Sequence, residues 1–178
     1  MAADAHVRLF CALRLPDDAL DLLCAWQATH IARARPVTRD NLHVTLAFLG
    51  ARPEADVPRV ARELGTAAVS AGPIVFEALR YRETRSVAMV VLSDEDGSAT
   101  AFAGDLAGRL ERLGVYRAEG RPWLPHVTVA RFRERPRLAP PAPVLGRVSP
   151  SDAAVYSSVL RPGGAQYRVL ESVVLGGR

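Results

Sequence analysis

Val7, Leu9, Cys11 and Leu13 take alternate places with His6, Arg8, Phe10 and Ala12 near the start of the chain. A period of two predicts a β-strand with one face buried. Pro16, Asp17 and Asp18 then supply a proline and two acids where a helix start favours them. Leu20, Leu23, Trp26 and Ile31 continue as an apolar stripe, which predicts a helix to about Arg35, broken by Pro36. A strand-like run, NLHVTLAFLG, covers residues 41–50. A second helix is expected from about Asp56 to Ser70, with Val57, Val60, Ala61 and Leu64 on one side.

After Gly72 and Pro73, strands are expected near Ile74–Tyr81 and Ser86–Leu92, then a helix over Ala99–Leu113 stopped by Gly114. A strand begins near His126, and the proline-rich stretch ERPRLAPPAP reads as a surface loop. Two last strands, near Ser151–Leu160 and Gln166–Leu175, flank RPGGA as a hairpin. Hairpins among strands late in the chain favour antiparallel pairing, so the expected class is α+β.

One short word occurs twice. LHVTLAFL and PHVTVARF share His, Val, Thr, an apolar residue and Ala, and their histidines stand 83 residues apart in a chain of 178. A repeat at about half the length predicts two pseudo-symmetric lobes of antiparallel sheet with outer helices and a groove between them. The whole of 1–178 is then one bilobal domain. Side chains alternate along a strand, so His43 and Thr45 share a face, as do His126 and Thr128. Each imidazole stands about 6–7 Å along the strand from its hydroxyl. Two such faces brought together would surround a small anion. His6 and His30 lack this company and are read as strand-edge and helix-surface residues.

Composition narrows the class. The hydrophobic share of 49% and charged share of 24% are those of a folded globular protein. No apolar run nears the ~20 residues of a membrane span. The first residues lack the apolar core of a signal peptide, so a cytoplasmic protein away from the membrane is expected. Cys11 and Cys24 are expected as reduced thiols, and no Cys/His spacing suggests a metal site. All 23 basic residues are arginine, and the net charge is +4. Arginine suits phosphate, although the codon choice of a GC-rich genome is the better explanation of the missing lysine. Charge alone permits nucleic acid without requiring it.

The paired words resemble the 2H phosphoesterase superfamily, in particular bacterial RNA 2′,3′-cyclic phosphodiesterases, also called 2′-5′ RNA ligases. RLFCALRLP resembles that family's first strand and turn, DNLHVTLAFLG and RPWLPHVTVARF its two motifs, and VYSSVLRPGGAQYRVL its closing hairpin. Arg35-Pro36-Val37 and Trp123 stand where the family has other residues. The resemblance implies hydrolysis of RNA 2′,3′-cyclic phosphate ends to a 2′-phosphomonoester without metal or cofactor, with 2′-5′ ligation as the reverse reaction. It implies His43 as proton donor to the 3′ oxygen and His126 as proton acceptor from water. The residues themselves leave open which histidine is the acid.

The threonines Thr45 and Thr128 are candidates to donate to the non-bridging phosphate oxygens. Arg131 follows His126 by five places, where the family holds an arginine near the phosphate. In a regular strand it points away from His126, unless a bulge or strand end turns it back. Phe48 holds the matching place in the first word, as a base platform or as core. Trp123 and Tyr156 are further stacking candidates. Arg33, Arg35 and Arg39 are candidates for an RNA backbone or for a solvated helix end. The expected partner is an RNA or nucleotide with a cyclic phosphate end, and the chain is expected to act as a monomer. Two other readings stand: a cyclic phosphodiesterase for a small nucleotide such as an ADP-ribose cyclic phosphate, and a non-catalytic RNA-end-binding module.

Overall fold

The computed structural model describes residues 5–31 and 33–176. The first strand, β1 (His6–Arg14), leads into helix α1 (Asp17–His30), which ends before Arg35. Arg35 and Pro36 instead form a two-residue strand, β2, followed by β3 (Val44–Pro53) and α2 (Val57–Ser70). Strands β4 (Glu77–Glu83) and β5 (Val87–Ser93) precede α3 (Ser98–Arg112) and β6 (His126–Arg131). The chain closes with the hairpin β7 (Asp152–Arg161) and β8 (Gly164–Val173). Every element expected from the sequence is present, with ends moved by a few residues. The α+β class holds.

All strands join one antiparallel sheet in the order β4-β5-β6-β3-β1-β7-β8, with β2 beside β6. Among the described residues β3 and β6 meet through one ladder pair, Val44 with Val127. Each valine is the central residue of a His-Val-Thr word. The sheet is thus two half-sheets hinged at the repeat itself. Between the repeated words, β1–α1–β3 in the first half corresponds to β5–α3–β6 in the second.

The helices interlock these halves. Gln27 of α1 donates its amide to Val129 O in β6, and Trp26 packs beside Tyr81 of β4. In the other direction α3 packs on β3. Alternation then sorts the strand residues. Leu9, Cys11 and Leu13 join the main core under the helices, whereas Phe10 and Ala12 form a small cluster with Ala154 and Tyr156 on the opposite face. Both faces of β1 are therefore covered, one by helices and one by the floor of a groove. Cys11 and Cys24 are free thiols, and burial pushes the Cys11 thiol up to about 12. No helix of the described residues is long and apolar enough to cross a membrane.

Candidate active site

Each repeated word starts a strand where the half-sheets meet. The antiparallel Val44–Val127 pair sets His43 and Thr45 opposite His126 and Thr128 around a local two-fold axis. The valines are fully buried and the four polar residues line the groove. The two imidazoles are oriented alike. Nδ1 of His43 lies 2.8 Å from Asn41 O, and Nδ1 of His126 lies 2.8 Å from Leu124 O. A carbonyl can only accept, so each ring carries its proton on Nδ1 and offers Nε2 elsewhere. For His43, Nε2 lies 3.0 Å from Thr45 Oγ1, which donates to the neutral ring.

A bulge follows each threonine. In β3 the partners of β1 jump from Thr45 (opposite Ala12) to Ala47 (opposite Cys11), leaving Leu46 extra. In β6 they jump from Thr128 (opposite Met89) to Ala130 (opposite Ala88), leaving Val129 extra. One extra residue reverses the alternation. Leu46 and Ala47 are consecutively buried, as are Val129 and Ala130. Phe48 and Arg131 therefore come back onto the His/Thr face, and both line the groove. Regular strand parity would have sent them into the core; the repeated bulge overrides it.

His43 lies on an aromatic bed. Phe10 is 5.0 Å away, Tyr167 meets it edge-on at 5.4 Å, and Tyr156 is 5.9 Å away. Phe10 in turn stacks on Tyr156 at 4.9 Å and on Phe48 at 5.4 Å. Burial against these rings pushes the His43 imidazole down to about 4. The bond to Asn41 O works the other way, and the positive fields of His126 and Arg131 add to the lowering. Those fields reach His43 because both groups face the same groove from β6. At neutral pH the His43 imidazole is therefore uncharged.

Against this geometry, the sequence model of the 2′-5′ RNA ligase superfamily matches residues 5–157. The chain belongs to that superfamily. Curated relatives named RNA 2′,3′-cyclic phosphodiesterase include one from Thermus thermophilus (33% identical, covering 96% of this chain and 91% of the relative). Another is from Escherichia coli K12, 28% identical over 92% of this chain and 94% of its own. The fold is similar to the crystal structure of TT0787 of Thermus thermophilus, with a TM-score of 0.82 and 28% identity. That likeness covers 96% of this chain and 98% of the other.

The remaining candidates divide within this superfamily fold. Trp123 lines the groove, and its indole N–H donates to Thr45 O at 3.0 Å, so it braces one motif from the loop before the other. Tyr156 is a correction. It is only 6% exposed, parallel to Phe10, and absent from the groove lining, so no base can stack on it. Tyr167, one strand over, faces the groove instead. Arg39 is held by Asp17 and Asp21 near the start of α1, which ties the segment before β3 to that helix. Arg35 is the better placed of the three early arginines: it lines the groove, and its guanidinium donates to Gly163 O in the β7–β8 turn. Asn41 ties the same hairpin, donating to Ala165 O at 2.9 Å. Among the described residues no three His, Cys, Asp or Glu side chains cluster as a metal site.

Sequence reasoning missed Phe10, Tyr167 and Asn41. The signal for Phe10 was available, since β1 carries apolar residues at both parities. Tyr167 and Asn41 lie outside the two repeated His-Val-Thr words, in stretches that carry the family resemblance, but the repeat gives neither a role.

Proposed function

We propose that this protein is a phosphodiesterase that opens RNA 2′,3′-cyclic phosphate ends. The observation that carries this reading is the Val44–Val127 pair, which turns two His/Thr pairs onto one groove. The cyclic phosphate sits between the imidazoles. His126 Nε2 takes a proton from water as that water attacks phosphorus. The P–O3′ bond breaks, and His43 Nε2–H protonates the departing 3′ oxygen, leaving the phosphate on the 2′ oxygen. Thr45 and Thr128 donate to the non-bridging oxygens, each such donor contributing about 2–4 kcal/mol of barrier lowering. Arg131 adds a fixed positive charge. Phe48, 49% exposed above Phe10, offers a face to the terminal base. The relatives' names, RNA 2′,3′-cyclic phosphodiesterase, support the activity. With a 5′ hydroxyl in place of water, the same steps form a P–O5′ bond as P–O3′ breaks, which is the 2′-5′ ligation expected from the resemblance.

The low pKa of His43 sets a condition on its role as donor. The anionic phosphate must raise it on binding, since an adjacent negative charge favours the imidazolium. A groove of about 2330 Å³ exceeds the ~300–1,000 Å³ of small-molecule sites, which favours an RNA end over a small nucleotide. The test is incubation with cytidine 2′,3′-cyclic phosphate in EDTA, with products separated by chromatography. Cytidine 2′-monophosphate is expected. The 3′-monophosphate would overturn the identity of the leaving oxygen, and no hydrolysis of any cyclic-ended RNA would overturn the activity.

A further inference from the structure

The two halves of the groove are related in backbone and opposite in chemistry. On the β3 side, Thr45 pairs with Ala12 and Phe48 pairs with Phe10, with Tyr156 next across the sheet. On the β6 side, Thr128 pairs with Met89, and Met89 pairs with Arg82; Arg131 pairs with Val87. Where one half has Phe48 the other has Arg131, and where one has Ala154 the other has Arg82. A nucleotide end has the same asymmetry, with a flat base on one side of the ribose and an anionic 5′ phosphate on another.

Arg82 faces the groove by the alternation of β4. Its neighbours Tyr81 and Glu83 turn the other way, Tyr81 to Trp26 and Glu83 to the backbone N–H groups of Arg137 and Leu138. Arg82 itself is exposed and lines the groove. Among the described residues neither Arg82 nor Arg131 has an acidic partner, whereas Glu119 on the rim is held by Arg121. Two strand spacings separate Arg82 from Thr128, about 10 Å between backbones. An extended arginine side chain spans much of that gap. A phosphate held at Thr128 therefore leaves its neighbour along an RNA strand within reach of Arg82.

We propose that Arg82, beside Arg131, binds the phosphate on the 5′ side of the terminal nucleotide, while the terminal base lies on Phe48. This rests on the cyclic phosphodiesterase reading above. The groove then prefers an RNA end to an isolated nucleotide, because the mononucleotide lacks that phosphate.

The test compares kcat/KM for cytidylyl-(3′→5′)-cytidine 2′,3′-cyclic phosphate with that for cytidine 2′,3′-cyclic phosphate. Wild-type protein favours the dinucleotide. In Arg82→Gln that preference falls by about tenfold, as expected for a lost charged hydrogen bond. The log–log salt dependence of dinucleotide binding loses about 0.7 in slope. Arg62→Gln, on the exposed side of α2 and outside the groove lining, keeps the preference. An unchanged preference in Arg82→Gln, or an equal loss in Arg62→Gln, overturns the proposal. If wild-type protein turns over neither substrate, the hydrolytic reading fails on its own. Calorimetry with cytidine 2′,5′-bisphosphate against cytidine 2′-monophosphate then decides the phosphate site. A tenfold loss of the bisphosphate's advantage in Arg82→Gln upholds the site, and no loss overturns it.

Discussion

The donor role proposed for His43 requires a proton near neutrality, yet its surroundings hold it neutral. Phe10, Tyr156 and Tyr167 remove water from the ring, and that burial is the largest cause of its low pKa. The sign of the consequence is definite. In the free enzyme His43 gains its proton only as pH falls toward about 4, so one limb of the kcat/KM profile is expected there. The kcat profile reports the complex, in which the bound phosphate anion raises His43, so the same limb moves to higher pH. Coincident limbs in the two profiles would show that the phosphate does not sit beside this ring. The role of each histidine is separated by a substrate whose 3′ bridging oxygen is sulfur. A thiolate leaves without a proton, so this substrate restores activity to His43→Ala and leaves His126→Ala impaired; the opposite pattern would exchange acid and base.

At the scale of the elements, the site depends on irregular strands. The bulges after Thr45 and Thr128 bring Phe48 and Arg131 into the groove, and Gly50 (φ +72°) marks a further irregularity opposite Leu9. At Gly50 a Cβ would meet nothing within 4 Å, so an alanine there suffers from backbone conformation and not from crowding. Gly50→Ala is expected to lower unfolding free energy by about 1–2 kcal/mol in denaturant titration. A change near zero would mean the strand relaxes out of the left-handed conformation.

These irregularities also mark how far the sequence could be read. Period-two alternation located β1, and the repeat located His43, Thr45, His126 and Thr128, because polar residues on a strand face are visible one word at a time. The extra residues Leu46 and Val129 are apolar like their neighbours, so the sequence leaves the bulge after each threonine open. Its trace is an adjacent apolar pair after each threonine, Leu46-Ala47 and Val129-Ala130, at matching places. Tyr156 was misjudged because a strand pattern names the residues of a face without showing what covers that face, which here is Phe10.

In the molecule as a whole, the halves are held together by exchange of helices as well as by the Val44–Val127 pair. With α1 over β6 and α3 over β3, neither half-sheet keeps its own helix to itself. The two imidazoles are consequently fixed with respect to each other by the core. This arrangement gives the histidines meaning only as a pair, and groups that act as a unit lose activity non-additively. The most direct measurement is a double-mutant cycle on cytidine 2′,3′-cyclic phosphate hydrolysis with His43→Ala, His126→Ala and the combined variant. Each single change is expected to lower kcat/KM at least ~100-fold, with the folded spectrum retained. The combined variant is expected to lie within ~10-fold of the weaker single. Near-wild-type turnover by either single variant, or losses that simply multiply, would contradict the convergence of both rings on one phosphorus.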